Sequence, residues 1–526
     1  MFAFRISTAQ GIGHFMRCKW LALALQELSY EVCFLLNENP NIVQLVEALP
    51  WPVFTLPLLS EQQDAVKVLS LLETFEKPYQ IIIDSYTLGL VWEKLIKAAG
   101  IDVIVIDDLA REHECDYLID QKVVADIDSR YRNKLPAHCQ SLLGPEFALL
   151  GPDYRQKIVK SDLRKNLLFS LGGGGDWRLL TPLIKKLIPQ LDYDISVDII
   201  IGPQAIYTTE LLEFSKHHKQ VEIICSPTSL FPYYQKARLF VGALGTSLYE
   251  LLATRTPALT FSIASNQDNT QEDLQQLGHY FHVDNFLQLN SDRQIKLITT
   301  LLKNSNRVEG LINRSKYKID GQGVSRVVYY LTQHKSEYIS SPKLAKVNQI
   351  ERKSIAASLS YRAVVDEDIM LYLCSRNKPS NAKKMTVTNT IELDEHINWW
   401  FKNHRNSYVI YENEQPIVFI WHQAFTMQKH DFLIGGWFTI GDHVAFPVAL
   451  VILKWQLTFT KVELPGARWV AVINKENKFV RLLNQYMGFV DVTQKSLSYK
   501  AIKKAFPKAS SNDFYYVDRD PGLQIK

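Results

Sequence analysis

The sequence predicts an α/β chain in three parts: two doubly wound parallel sheets in succession, then a smaller α+β domain. Three observations carry this. Strand-like and helix-like segments alternate from the first residues to about Gln333, the pattern of parallel sheets. The strands "QIIID" and "DVIVID" are continuous apolar runs, as strands buried on both faces are. The texture changes twice, at the glycine- and proline-rich "LLGPEFALLGPDYRQKIV" and at the polar, basic "QHKSEYISSPKLAKVNQIERKSIAA", which read as linkers.

The 526 residues exceed what one core usually organises. The boundaries read as 1–155 and 156–335 for the two sheet domains, 336–357 for a linker, 358–510 for the third domain and 511–526 for a frayed polar tail. In the first part "FAFRIST", "YEVCFLLN", "YQIIIDSY" and "DVIVIDDLA" are strands, and "HFMRCKWLALALQELS" and "GLVWEKLIKAAG" are helices. The second part repeats the alternation with "NLLFSLGGGGD", "SVDIIIGP", "VEIICS", "ARLFVGALG" and "PALTFSIA". Two such Rossmann-like halves are expected to face a cleft at the carboxyl ends of their strands.

Composition narrows the function classes. The apolar fraction is 47%, the charged fraction 22% and the net charge +4, too small to point to nucleic acid or an anionic membrane. The six cysteines, Cys18, Cys33, Cys115, Cys139, Cys225 and Cys374, form no CxxC pair. That argues against a zinc site or a disulfide framework and suits a reducing cytoplasm. "MFAFRISTAQGIGH" enters a strand and turn directly, without a leader pattern. No apolar run approaches the ~20 residues that span a bilayer. The longest candidate, "HVAFPVALVILKWQLTF", is interrupted by a proline and a lysine.

The chemistry-bearing motifs sit at strand ends. In "QGIGHFMRCKW", Gly11 and Gly13 permit close backbone approach to a ligand, and the helix behind them offers free N–H groups to an anion. His14 stands at the mouth, with Arg17 one turn on as a candidate contact to the substrate or UDP. It reads either as a general base or as a helix cap. Asp84, Ser85 and Tyr86 follow a buried strand; Asp84 orients another group or caps the next helix, and Tyr86 bonds or stacks on a sugar. Asp107, Asp108 and His113 end the next strand, where a structural role is favoured over acid–base work. The run Gly172 to Gly175, with Asp176, is a candidate phosphate loop, Gly173 and Gly174 at its centre; without Gly-Lys-Ser/Thr it is no Walker loop. Gly242 and Gly245, then Thr246 and Ser247 at a helix start, suit a pyrophosphate, and Glu250 suits ribose hydroxyls. The same residues also make an ordinary helix start. Asn266 and Gln267, at another strand tip, bind a sugar or place a water, or are simply a polar loop.

Taken together, "GIGHFMRCKWLA", "IIIDSY", "VIVIDDLAREHECDYLIDQ", "LLGPEFALL", "LLFSLGGGGD", "GALGTSLYELL" and "ASNQ" resemble the UDP-sugar hydrolases of bacterial pseudaminic acid biosynthesis, a glycosyltransferase-B-like group related to the MurG transferase. The resemblance covers about Met1 to Gln333. It implies two Rossmann-like domains of that type and hydrolysis of UDP-2,4-diacetamido-2,4,6-trideoxy-β-L-altropyranose to UDP and free sugar, by attack of water at the anomeric carbon. No metal or other cofactor is implied for this step. The family's histidine matches His14, its tyrosine Tyr86 and its asparagine Asn266. The glycine loop matches Gly172 to Asp176, the helix start Gly245 to Ser247, and Glu250 would hold the ribose. Leu244 stands where the family usually has a second glycine.

The third region resembles the GNAT acyltransferases through "YRAVVDEDIMLYLCSR", "IELDEHINWWF" and "WVAVINKENKFVRLLNQYMGF", the last carrying Asn477 and Asn484. This implies an acyl-CoA, such as acetyl-CoA, as donor and a second activity on the same pathway, with other pathway enzymes as potential partners. The stretch "GDHVAFPVA" lacks the arginine and glycines of that family's coenzyme A loop, and Asn484 replaces its frequent tyrosine acid. Two other readings stay open for the first region: a glycosyltransferase or epimerising UDP-sugar hydrolase, and a non-catalytic UDP-sugar-binding scaffold.

Overall fold

The computed structural model describes Met1 to Ile525 apart from residues 8–11, 40–45, 48, 76–79, 125, 160, 264–268, 334–336, 343–349 and 442. The chain forms two compact units, Met1–Asn348 and Gln349–Lys526.

The first unit holds two parallel sheets, as the alternating pattern predicts. The first contains β1 (Phe2–Ile6), β2 (Val32–Asn37), β3 (Val53–Leu56), β4 (Gln80–Asp84), β5 (Asp102–Ile106), β6 (Tyr117–Asp120) and β7 (Gln140–Leu143), in spatial order β3-β2-β1-β4-β5-β6-β7. The second contains β8 (Asn166–Ser170), β9 (Val197–Ile201), β10 (Val221–Cys225), β11 (Ala237–Ala243) and β12 (Ala258–Phe261), in order β10-β9-β8-β11-β12. In both, the order reverses beside the first strand, β1 against β4 and β8 against β11. That is where a doubly wound sheet opens a crevice at its strand ends. The lead helix, Ile12–Glu27, buries Phe15, Cys18, Leu21, Ala22 and Leu25 on the first sheet.

The second half does not end where the sequence suggests. The helix Gly323–Leu331, expected in the second domain, packs Val324, Val327, Val328 and Leu331 into the same core as the lead helix and β1. The sequence boundary at 335 assigns this segment to the second domain, whereas the sheet it packs on belongs to the first. Burying four such side chains stabilises by roughly 6–12 kcal/mol, so this return helix ties the halves together.

The second unit is one mixed sheet in the order β13-β14-β15-β16-β17-β18-β20-β19: β13 (Lys353–Ala356), β14 (Leu359–Ala363), β15 (Asn406–Glu412), β16 (Gln415–Met427), β17 (His430–Thr439), β18 (Arg468–Asn474), β19 (Val490–Asp491) and β20 (Phe514–Arg519). All neighbours are antiparallel except β17 and β18, which pair in parallel at Phe432↔Arg468 and Leu433↔Trp469 only. This α+β unit fits the fold class predicted. Two expectations are corrected. Residues 353–356, read as linker, form edge strand β13. The tail after 510, read as frayed, supplies β20, held between β18 and β19. "DFYYVDRD" looked polar because its acidic residues flank a core that only pairing reveals. Among the described residues no helix is long and apolar enough to cross a membrane.

Gly323 begins the return helix where a Cβ would lie 2.2 Å from the Ala148 carbonyl oxygen. Alanine is the better helix former by about 1 kcal/mol, so propensity alone predicts that Gly323→Ala stabilises. The contact predicts the opposite: a net loss of about 1–3 kcal/mol, read as a lower midpoint in urea unfolding followed by tryptophan fluorescence.

Candidate functional site

The first sheet builds a charged cluster at the carboxyl ends of its central strands. Asp84 is the last residue of β4, and its side chain is fully buried. It receives the lead helix, whose positions 14, 17 and 18 share one face. His14 Nδ1 lies 2.5 Å from Asp84 Oδ1, Arg17 Nε lies 2.6 Å from Oδ2 and Arg17 Nη2 lies 2.6 Å from Oδ1. The Cys18 thiol points at Oδ2 from 3.6 Å. The carboxylate at this distance takes the proton on His14 Nδ1, so that the neutral ring has its lone pair on Nε2.

Burial alone would raise the Asp84 carboxyl, but Arg17 and then His14 hold it well below the usual carboxylate range. Burial opposes the charge on Arg17, and Asp84 more than restores it. The group is therefore an anion clamped between a bidentate guanidinium and an imidazole. Sequence reasoning placed Arg17 at the substrate. The structure corrects this: its side chain is turned inward onto Asp84, with Nη1 3.4 Å from Asp108.

Tyr86 extends the cluster. Its hydroxyl donates to Asp108 Oδ1 at 2.8 Å, and its ring meets that of His14 edge-on, centroids 4.8 Å apart. Burial, then Asp108, pushes the phenol upward, so it stays a neutral donor. Ser85 accepts from the Thr87 and Leu88 amides and shapes the turn. The structural reading of Asp107 holds: it accepts from Arg111 Nε at 2.8 Å and the Tyr131 hydroxyl at 2.9 Å. His113 is enclosed by Glu93 at 2.8 Å and Asp107 at 3.4 Å, and those partners outweigh burial and push it up to about 9. Asp108, which links Arg17 to Tyr86, is the residue whose part sequence reasoning missed. Its adjacency to Asp107 was the only signal.

The second half meets this cluster through small residues. A Cβ on Gly13 would lie 3.2 Å from Thr246 Cγ2, and one on Gly173 would lie 3.1 Å from Ile12 Cβ. Gly172 has φ +72°, and the Gly173 carbonyl accepts from the Gln204 amide at 2.8 Å. Gly174 lies beside Gln204, with room for a Cβ at 3.6 Å. Asp176 caps a 3-10 turn, Trp177–Leu179, and the helix that follows starts at Thr181. Gly245 and Thr246 are exposed, and the Ser247 hydroxyl donates to the Ala243 carbonyl at 3.2 Å. Tyr249, on the same short helix, is buried within reach of the charges of Asp120, Asp108, Arg17 and Arg130.

Glu250 accepts from the Tyr234 hydroxyl at 3.2 Å. Burial pushes its carboxyl up to about 7, with the Tyr154 and Tyr234 hydroxyls tempering the rise. Gly11, Asn266 and Gln267 lie outside the described residues. No group of acidic, histidine or cysteine side chains among the described residues is arranged to hold a metal ion.

In the second unit Asn477 caps the helix Lys478–Tyr486 by accepting from the Val480 amide at 3.2 Å, and Asn484 donates to the Val480 carbonyl at 2.8 Å. Both serve the helix itself. The helix Phe446–Glu463, where a coenzyme A pyrophosphate would be cradled, begins with Ala445, Phe446 and Pro447 and has no side-chain cap. Pro447 has no N–H, and Val444 and Phe446 pack on the apolar core. These residues do not fit a pyrophosphate cradle.

No family model matches the chain. Over 274 residues it is 23% identical to the UDP-2,4-diacetamido-2,4,6-trideoxy-β-L-altropyranose hydrolase of Campylobacter jejuni, an alignment spanning 52% of this chain and 94% of that enzyme. Among solved structures, MurG of Acinetobacter baumannii is 13% identical, with a TM-score of 0.45, over 63% of this chain and 99% of its own. An N-acetyltransferase of Staphylococcus aureus is 16% identical, with a TM-score of 0.25, over 31% of this chain and 99% of its own.

Proposed function

We propose that the first unit hydrolyses a UDP-sugar, specifically UDP-2,4-diacetamido-2,4,6-trideoxy-β-L-altropyranose, to UDP and the free sugar. The observation that carries this reading is the His14–Asp84 contact of 2.5 Å at the end of β4, next to Thr246 and Gly173 of the second half. The likeness to the Campylobacter hydrolase supports the substrate.

In this reading His14 Nε2 takes a proton from water as the water oxygen bonds to the anomeric carbon. The anomeric C–O bond breaks and its electrons leave on the β-phosphate of UDP. Asp84 holds the ring in the required tautomer and stabilises the imidazolium that forms. Arg17 keeps Asp84 ionised, Tyr86 borders the reacting sugar, and Asn266 takes the part that the resemblance gives it, binding the sugar or placing the water. The glycine loop and the Thr246–Ser247 helix start meet the charge that develops on the leaving group. UDP is itself a good leaving group, so a placed water and a base suffice. In the second unit the paired strands β17 and β18 bond at two positions only. No acyl-transfer step is assigned to it.

His14→Ala and Asn266→Ala are expected to lower turnover about 10²–10⁴-fold with UDP binding largely kept, measured by UDP release and by calorimetry. Unchanged turnover in His14→Ala overturns the base assignment. In H₂¹⁸O the label is expected in the sugar. Label in UDP would place attack on phosphorus, and a sugar transferred to an acceptor would make the enzyme a transferase. Proton NMR of the product separates simple hydrolysis from epimerisation at C2.

Glu250 sets a pH dependence. Its carboxyl titrates near 7, so it is neutral below that pH and accepts hydroxyl donors fully only above it. UDP affinity is expected to rise between pH 6 and pH 8, with the rise absent in Glu250→Gln.

A further inference from the structure

The first sheet brings two thiols together ahead of its strands β6 and β7, at the opposite ends from the Asp84 cluster. All six cysteines of the chain are free. Cys115 is fully buried and Cys139 half-buried, and their Sγ atoms lie 3.5 Å apart. The first partners of the two strands are Tyr117 and Gln140. The Gln140 amide donates to the Asp116 carbonyl at 2.9 Å, so the two backbones are already held at sheet spacing. What separates the sulfurs from a bond of about 2 Å is then side-chain rotation. The hydrogen bond from Cys115 lowers the Cys139 thiol against the effect of burial, and the charge of His113 adds to this. The same bond, with burial, pushes Cys115 up. Cys139 is therefore the better thiolate of the two, and it is the one that solvent reaches. Cys18 and Cys33 are buried and pushed up mainly by burial, Cys33 to about 12.

Each cysteine belongs to a segment that grips the Asp107–Asp108 turn. Two residues before Cys115, the His113 ring lies 3.4 Å from Asp107, and the His113 amide donates to the Lys134 carbonyl at 2.9 Å. Ahead of Cys139, the Tyr131 hydroxyl donates to Asp107 at 2.9 Å and Arg130 Nη2 to the Asp108 carbonyl at 2.6 Å. Lys134 Nζ donates to the Ala110 carbonyl at 2.7 Å. The turn held in this way presents Asp108 to the Tyr86 hydroxyl at 2.8 Å and to Arg17 at 3.4 Å. A bond between residues 24 positions apart would close these polar contacts into one covalent ring around the turn.

We propose that Cys115 and Cys139 are a redox-sensitive thiol pair, oxidised by a peroxide to a disulfide that locks the Asp107–Asp108 turn. The Cys139 thiolate attacks one oxygen of hydrogen peroxide and the O–O bond breaks. A sulfenic acid forms on Cys139, and the hydroxide that leaves takes up the proton Cys139 lost on ionising. Cys115 Sγ then attacks the Cys139 sulfur. The S–S bond forms, and the sulfenic hydroxyl leaves with the Cys115 proton as water. The two sulfurs give up two electrons in all, and one peroxide becomes two waters. A thiol reductant reverses the bond by exchange, so the pair stays reduced until peroxide rises. The inference stands apart from the activity proposed for the first unit.

Peptide mapping of the full chain after hydrogen peroxide, with the remaining thiols then blocked, tests this. A peptide pair joined through Cys115 and Cys139 and released by dithiothreitol is expected, while the exposed Cys225 and Cys374 stay unjoined. In urea the same treatment is expected to give mixed pairings. A similar mixture in the folded chain overturns the proposal, as does absence of the joined pair at a peroxide concentration that oxidises Cys225. The lock is read by hydrogen exchange at the Leu109 and Arg111 amides, which donate to Asp107 at 3.2 and 3.1 Å. Oxidation is expected to slow their exchange roughly threefold or more, and dithiothreitol to restore it. Exchange that is unchanged by oxidation, or that slows equally in Cys139→Ser, overturns the lock. In Cys115→Ala, Cys139 is expected to stop at the sulfenic acid and to be labelled by dimedone. Lack of that label overturns Cys139 as the attacking thiol, and the joined pair in the unsubstituted chain tests the proposal whether or not that variant folds.

Discussion

Everything at the candidate active site hangs on one buried carboxylate. Asp84 ends the central strand β4 with no exposed surface, and only a charged or hydrogen-bonded setting lets a carboxylate sit there. His14 and Arg17 supply that setting together, from one face of one helix. The constraint runs both ways. Once the carboxylate is placed, the tautomer of His14 and the inward turn of Arg17 are both determined. Arg17 then directs its guanidinium at Asp84 and Asp108. In the proposed function the negative charge of a nucleotide is met by backbone groups, which gives the glycine loop and the helix start of the second half their part in it.

The two halves can meet only because their facing residues are small. Gly13 and Gly173 each leave the space that a Cβ would take from Thr246 or Ile12. The return helix keeps those surfaces in register by burying its valines under the lead helix. The segment that positions His14 is thus packed from behind by residues more than 300 positions away. Tyr249 completes the closure from the other side, buried within the field of Arg17, Asp108 and Asp120. Stability and site geometry are set by the same contacts here, so a change in the return helix reaches the histidine through the lead helix.

Much of this was legible in the sequence, for a physical reason. An apolar run of β-branched residues buried on both faces leaves its first polar residue at a strand end, so "QIIID" located Asp84 without a structure. The glycines of "LGGGGD" and the histidine after "GIG" were visible for similar reasons of backbone freedom. Partners were not visible. Helix phase says that positions 14, 17 and 18 share a face, but not which of several strand-end acids they meet, so Arg17 was aimed at substrate. Arg5 is a similar case: a charged residue in a central strand contradicts the apolar pattern until Asp64, 59 residues on, is seen to hold it at 2.6 Å. β20 was missed because "FYYVDR" acquires its meaning from β18, not from its own period.

In the second unit two glycines set how closely the indoles of Trp421 and Trp469 pack on β17. Binding a phosphate at a helix start needs free N–H groups and backbone that can come close, and Pro447 and the packed Phe446 remove both. Strands β17 and β18 pair at Phe432↔Arg468 and Leu433↔Trp469. Just beyond, Trp469 occupies the space beside Gly435, and Trp421 the space beside Gly436, each so close that a Cβ would sit 2.8 or 3.0 Å away. The Trp469 indole joins Leu433 in the core of the sheet, and the Trp421 indole is the floor on which the Arg405 guanidinium lies, 3.7 Å from the ring centroid. A single pair of glycines therefore fixes two indoles with different surroundings, one apolar and one cationic.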